Sequence, residues 1–169
     1  KLYNAHCSGE IGDVVVDFDN LNFKSPKVGS IELFKNKYWR NFFLNEPRGG
    51  VFKHCNIIVK PSDPVADVGF IIMEPEDNPP MSGSNCICVT TVLLEKNILK
   101  MNHPLTILNL EAPGGTIKVI AECEKNKVKS VSFTNLPSFV DKIDVDLKTK
   151  NYGTVNVSTA YGGDSFLLC

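Results

Sequence analysis

The residues best placed to do chemistry lie in one short segment, Met81-Ser82-Gly83-Ser84-Asn85. The pair Pro79-Pro80 stops the preceding element. The segment is followed by an apolar stretch that contains only two threonines before its first charge. This order predicts a tight turn that delivers a hydroxyl to the N-terminus of a buried helix. A helix N-terminus presents unpaired N–H groups and a positive dipole end, so it suits an anion such as a carboxylate. The alternative is that Ser82 or Ser84 merely caps the helix, as serine often does.

Length and composition narrow the classes of protein to consider. The 169 residues suffice for one ordinary domain, or for one domain and part of another. A hydrophobic content of 43%, a charged content of 22% and a net charge of −1 are typical of a soluble globular protein. Without a basic excess to neutralise a phosphate backbone, we expect no nucleic-acid partner. Without an apolar run of roughly 18–20 residues, we expect no membrane span.

The cysteines and histidines do not form a metal-binding pattern. None of the six cysteines belongs to a Cys-x-x-Cys pair, and the three histidines are scattered, so we expect no metal. The first residues, 1–6, have neither the apolar core nor the cleavage pattern of a signal peptide. Six cysteines without such a signal indicate reduced thiols and a cytoplasmic protein.

Hydrophobic spacing and turn residues predict the elements that position the Ser82 segment. A first helix is predicted at residues 30–46, capped by Ser30 and ended by Pro47. A second, buried helix is predicted at 83–95, although its β-branched content also favours a strand. Strands are predicted at 14–18, followed by a turn at Asp19-Asn20, and at 56–60, 68–73, 105–110, 116–123, 128–133 and 153–160.

Two glycine-rich turns divide the second half of the chain. Pro113-Gly114-Gly115 is a strong break, and the alternating segments after it predict a β-hairpin. The last predicted strand runs into Tyr161-Gly162-Gly163-Asp164, which indicates either a close backbone approach to a ligand or another segment, or a plain turn. With strands in the majority and two helices, the sequence predicts a mixed α/β architecture.

A series of short segments, taken in order, resembles the proline racemase family, which includes 4-hydroxyproline epimerases and trans-3-hydroxyproline dehydratases. The Ser82 segment occupies the position of the family's Met-Cys-Gly-His motif, with serine in place of cysteine. The other similar segments are Ala5-His6-Cys7-Ser8-Gly9-Glu10, Asn45-Glu46-Pro47-Arg48-Gly49, Ala66-Asp67-Val68-Gly69-Phe70, Glu111-Ala112-Pro113-Gly114-Gly115, residues 131–139 and Tyr161-Gly162-Gly163.

The resemblance implies an α/β (α+β) fold like that of diaminopimelate epimerase, in which a curved, mostly antiparallel sheet wraps around a central helix. Two such lobes face each other with pseudo-symmetry, and each places one acid/base residue at a helix N-terminus. It implies that residues 1–115 form the first lobe and that 116–169 begin the second. Because family enzymes are about twice as long, we expect this chain to be part of a longer enzyme.

The resemblance also assigns roles to individual residues. It implies that Ser82 is the catalytic acid/base and that Gly83 and Ser84 bind the substrate carboxylate through their backbone. Asn85 either continues this anion site or simply begins the helix. His54 aligns near a pocket position where it could meet a ring hydroxyl, against the alternative of an ordinary strand histidine. Asp164 is a further substrate-binding candidate, against the alternative of a turn aspartate.

Serine at position 82 affects the expected reaction, because an alkyl hydroxyl is far less acidic than a thiol. This favours epimerisation of 4-hydroxyproline at the α-carbon over racemisation of proline. The first alternative is dehydration of trans-3-hydroxy-L-proline, and the second is an inactive isolated lobe or fragment. We expect no cofactor and no metal. The expected partner is a small-molecule substrate, proline or hydroxyproline, and a homodimer is left open.

Overall fold

The chain forms two sheets and three helices within residues 1–18 and 22–169, which the computed structural model describes. This confirms the predicted α/β class. The first sheet contains β1 (Leu2–Tyr3), β2 (His6–Cys7), β3 (Glu10–Val15), β4 (Lys53–Val59), β5 (Val68–Met73), β6 (Leu105–Ala112), β7 (Gly115–Glu124) and β8 (Lys127–Phe133). The helices are α1 (Pro26–Lys35), α2 (Lys37–Leu44) and α3 (Gly83–Glu95). The second sheet contains β9 (Phe139–Thr149), β10 (Gly153–Tyr161) and β11 (Ser165–Leu168).

The first sheet wraps around α3. Its strand order is β1-β3-β4-β5-β6-β7-β8, with β2 also paired to β3. The pairs β3–β4 and β5–β6 are parallel and the others are antiparallel. Helix α3 contacts β2 and β3 near one edge of the sheet and also β7 and β8 at the other edge. One helix can touch both edges only if the sheet curves around it, as the family resemblance implies.

Helix α3 has the predicted bounds despite its β-branched residues. The hydroxyls of Thr90 and Thr91 each donate to the carbonyl four residues earlier, over 2.8 Å, so they need no partner outside the helix. Val89 and Leu93 are fully buried against the sheet, where Phe70 and Val119 belong to the same core. Burial of such side chains stabilises the helix more than its intrinsic propensity opposes it.

The prediction of one helix at residues 30–46 is wrong. The Oγ of Ser25 caps α1 by accepting from the Val28 N–H over 3.2 Å, so this helix starts before Ser30. Asn36 then breaks the run with φ −87° and ψ 89°, and its Oδ1 caps α2 by accepting from the Trp39 N–H. A short amide side chain can cap a new helix, which explains the break.

The strand predictions are correct in position, and their bounds differ by a few residues. The strand at 68–73 has the predicted limits. The strand predicted at 14–18 starts earlier, at Glu10, and ends at Val15. The turn predicted at Asp19-Asn20 lies outside the described residues. Strands β1, β2, β9 and β11 were not predicted.

The Pro113-Gly114 break is a tight turn inside the first sheet. Ala112 pairs with Gly115, so β6 and β7 form a hairpin, and the sheet continues through β8 to Phe133. The second sheet starts at Phe139. The sheet thus crosses residue 115, where the resemblance implies the end of the first lobe.

Candidate active site

Ser82 is the N-cap residue of α3, but its hydroxyl does not cap the helix. Its backbone is extended, with φ −136° and ψ 125°, and its carbonyl accepts the first helical hydrogen bond from the Cys86 N–H. Its side chain makes no capping bond to the backbone. Among the described residues, the N–H groups of Gly83, Ser84 and Asn85 have no hydrogen-bond acceptor. They are the free donors of a helix N-terminus and can hold an anion.

Backbone contacts on both sides fix the segment that leads to Ser82. The Gly114 N–H donates to the Pro80 carbonyl over 2.8 Å. The Met81 N–H donates to the Gly163 carbonyl over 3.0 Å. Gly163 has φ 105°, a backbone conformation that favours glycine. The two predicted glycine turns therefore position the residues just before Ser82.

Phe133 packs against Gly83. A Cβ atom at Gly83 would lie 3.0 Å from the Cζ of Phe133. The missing side chain thus admits the aromatic ring at the end of β8. The ring borders the first turn of α3, where the free N–H groups lie.

The Asn85 side chain is fully buried beneath the Ser82 hydroxyl. Its Nδ2 lies 2.9 Å from Ser82 Oγ, 3.1 Å from Glu74 Oε1 and 3.1 Å from His54 Nδ1. Its Oδ1 accepts from Asn56 Nδ2 over 2.7 Å. The side chain of Asn85 thus belongs to the buried network, while its backbone N–H has no acceptor among the described residues.

The buried strands set the direction of these hydrogen bonds. The Asp13 carbonyl can act as an acceptor but not as a donor, so the Asn56 Nδ2, 3.3 Å away, must donate to it. The same Nδ2 then donates to Asn85 Oδ1, which turns Asn85 Nδ2 toward Ser82. Asn56 Oδ1 is left without a partner among the described residues. The amide of Asn85 is therefore fixed as a donor to the serine oxygen.

Glu74 places a half-buried carboxylate in the same group of side chains. Its Oε1 is 3.5 Å from His54 Nδ1, and Glu10 Oε1 is 3.4 Å from the same nitrogen. Burial is the largest influence on the Glu74 carboxyl and raises its pKa, and the nearby negative charges of Asp77 and Glu10 act in the same direction. The His54 ring and the nearby Ser82 hydroxyl oppose the rise. The result is a carboxyl with raised pKa in contact with Asn85.

No thiolate takes the place of the serine. Cys86 and Cys88 follow it in α3, and both side chains are buried. Burial is the main cause that raises the pKa of both thiols to about 12. Both thiols are therefore protonated at neutral pH. Ser82, which is partly exposed, is the acid/base candidate at this helix end.

The structure brings five of the six predicted site residues together: Ser82, Gly83, Ser84, Asn85 and His54. Ser84 Oγ is 3.4 Å from Ser82 Oγ. Asp164 lies apart from them, in the turn after β10, where it accepts from the Ser165 N–H and faces Asp77.

Sequence reasoning missed Glu74 and Asn56, and it included Glu10 in a family segment without giving it a role. The one sequence signal for Glu74 is a carboxylate directly after the apolar strand 68–73. Within the described residues, no group of three or more His, Cys, Asp or Glu side chains could hold a metal ion. No helix in this part of the chain is long and apolar enough to cross a bilayer.

The fold and the site define a class: a curved α/β lobe that presents the N-terminus of its central helix. The PhzF-family phenazine biosynthesis protein of Bacillus anthracis shares this fold, with a TM-score of 0.53 at 13% identity over 99% of this chain and 55% of its own. At that identity the likeness concerns the fold alone.

The family follows from closer matches. The family model described as "Proline racemase" matches residues 2–169, and the chain belongs to this family. It is 34% identical to a hydroxyproline epimerase from Agrobacterium vitis, solved with bound trans-4-hydroxy-L-proline, with a TM-score of 0.87. It is also 34% identical to a probable proline racemase from Agrobacterium radiobacter, solved with bound carbonate, with a TM-score of 0.86. Both matches cover 98% of this chain and 50% of the other, so the chain spans half the length of these relatives.

Proposed function

We propose that the protein carrying this chain epimerises 4-hydroxyproline at the α-carbon, without a cofactor, and that Ser82 is the acid/base residue of this lobe. The observation that carries the proposal is the Ser82 hydroxyl, which is free of any capping bond and stands beside the unpaired N–H groups of Gly83 and Ser84. Likeness to the Agrobacterium vitis enzyme over 98% of this chain supports the choice of substrate.

The chemistry needs an anion site beside a proton-transfer group. When the α-proton leaves, negative charge builds up on the substrate carboxylate, and the N–H groups at the start of α3 are oriented to stabilise it. A hydroxyl next to this site can exchange a proton with the α-carbon. An acid/base residue outside this chain would act on the opposite face of that carbon.

The remaining site residues have supporting roles in this proposal. His54 lies within reach of Asn85 and Glu74 and offers a polar ring to a hydroxyl on the substrate. Phe133 offers an apolar surface beside Gly83 to the pyrrolidine ring. Asp164 contributes at a distance, through the turn whose Gly163 carbonyl holds Met81.

Incubation of the full-length protein with trans-4-hydroxy-L-proline in D2O tests this function. We expect cis-4-hydroxy-D-proline with deuterium at the α-carbon, and loss of both signals in Ser82→Ala. A parallel incubation with trans-3-hydroxy-L-proline separates the dehydratase alternative, since elimination of water yields a pyrroline carboxylate. Turnover by Ser82→Ala at the wild-type rate would contradict the assigned role, and absence of α-proton exchange in the wild type would contradict the function.

A further inference from the structure

The Ser82 hydroxyl needs a partner to act as a base. An alkyl hydroxyl has no appreciable anionic form at neutral pH, unlike a thiol at a helix N-terminus. It can take up a proton from carbon if its own proton leaves at the same time. The protein must therefore supply an acceptor within reach of the serine hydroxyl.

The direction of the Asn85 contact restricts where the serine hydrogen points. Asn85 Nδ2 donates to Ser82 Oγ over 2.9 Å, so the hydroxyl hydrogen points away from this amide. The same Nδ2 donates to Glu74 Oε1 over 3.1 Å, so the carboxylate and the serine oxygen share one amide nitrogen as their donor. The other oxygen nearby, Ser84 Oγ, is 3.4 Å away and is a weaker, uncharged acceptor.

We propose that Glu74 is the proton acceptor and donor of Ser82, an inference that rests on the proposed function. As Ser82 Oγ takes the α-proton, its own O–H bond breaks and the proton moves to the Glu74 carboxylate. The C–H electron pair passes into the substrate carboxylate, and Glu74 becomes a neutral carboxylic acid. In the reverse direction Glu74 returns the proton to Oγ, and Oγ protonates the carbon.

The surroundings of Glu74 suit a proton carrier. Burial, Asp77 and Glu10 raise the pKa of its carboxyl, and the His54 ring opposes this. On the α2 side, the Arg40 guanidinium donates to the Glu74 backbone carbonyl over 2.8 Å and to the Asn78 side chain. A raised pKa makes the carboxylate a stronger base, and this favours proton transfer from the serine.

A pair of substitutions separates proton transfer from structural support. In the full-length protein, we expect Glu74→Gln to lower kcat by about 10²–10⁴-fold with little change in KM, since the isosteric amide keeps its contacts but accepts no proton. In a Ser82→Cys background we expect Glu74→Gln to cost less than about tenfold, because a thiol ionises without this acceptor. The control is Glu76→Gln, an exposed carboxylate in the same loop, which should retain the wild-type rate.

Two further readouts make the outcome decisive. The acidic limb of the wild-type kcat/KM profile should be absent in Glu74→Gln. Labelling of Ser82 by a fluorophosphonate, which needs no substrate, should be at least about tenfold slower in Glu74→Gln than in the wild type. Equal losses in the serine and cysteine backgrounds, or equal labelling rates, would overturn the role of Glu74. A different result is possible: the wild type shows no α-proton exchange, yet labelling is slower in Glu74→Gln. This result would contradict the proposed function and still support proton transfer between Ser82 and Glu74.

Discussion

Gly12 of β3 lies so close to α3 that a Cβ atom there would stand 2.7 Å from the Oδ1 of Asn85 and 3.0 Å from the Sγ of Cys88. The first turn of the central helix can approach the sheet because this strand position has no side chain. We expect Gly12→Ala to displace Asn85 from Ser82, to cost about 1–3 kcal/mol in the free energy of unfolding and to lower kcat. Urea unfolding and steady-state kinetics measure the two effects.

The matched control for that substitution is Gly162→Ala. Its Cβ would meet no atom of the described residues within 4 Å. We expect wild-type stability there. Unchanged kcat in Gly12→Ala would show that the contact with Asn85 does not position Ser82.

Asn85→Asp tests the donor role of the buried amide. It replaces the amide nitrogen that donates to Ser82 and Glu74 with a carboxylate oxygen, and adds a negative charge next to the Glu74 carboxylate. We expect kcat/KM to fall by about 10²-fold or more and the acidic limb of the pH profile to move to higher pH, because a like charge raises the pKa of Glu74. Asn151→Asp, an exposed turn substitution, is the control. A pH profile that does not move would rule out electrostatic coupling between position 85 and Glu74.

The Asp77 carboxyl should make the free energy of unfolding fall as the pH rises. Burial and then the charge of Asp164 raise the pKa of Asp77 above 3.8. Between pH 3.8 and the raised pKa, Asp77 keeps its proton in the native state but has lost it in the unfolded state. The free energy of unfolding therefore decreases as the pH rises through this range. We expect Asp77→Asn to gain stability relative to the wild type as the pH rises through this range. Urea titrations at a series of pH values measure the difference, which would be constant if Asp77 had an ordinary pKa.

The buried thiols of α3 should resist alkylation. With a pKa of about 12, Cys86 and Cys88 carry about one thiolate in ten thousand at pH 8. We expect iodoacetamide to leave both unmodified in the native protein and to alkylate both after unfolding, as peptide mass spectrometry would show. Rapid modification of Cys88 in the native protein would indicate that the first turns of α3 open readily.

The sequence was most informative where one local signal dominated. Helix α3 has the predicted limits because Pro79-Pro80 and Gly83 mark its start and the first charge of an apolar stretch, Glu95, marks its end. Strand β5 is an apolar run bounded by Asp67 and by Glu74-Pro75. The helix at 30–46 was predicted without its break, because the capping role of Asn36 depends on a backbone turn that periodicity does not report. Strand β9 was not predicted because its apolar residues alternate with aspartate and lysine, which are depleted in strands.

The candidate site was predicted in part. The family motif led to Ser82, Gly83 and Ser84. Glu74 and Asn56 carried no motif, because their contact with Asn85 arises from strands that become neighbours when the sheet folds around α3. Partners that are 11 and 29 residues apart along the chain are set by strand register, which a single sequence does not reveal.

The bond between Met81 and Gly163 sets an order in which the protein can acquire its site during synthesis. A ribosome releases the chain from its N-terminus, so α3 and the carbonyl of Pro80 can find Gly114 while the second sheet is still being made. A further backbone support of the serine segment comes from Gly163, which is 82 residues further along the chain than Met81. A nascent chain that has not yet reached residue 163 therefore carries Ser82 without this anchor, although α3 is already complete.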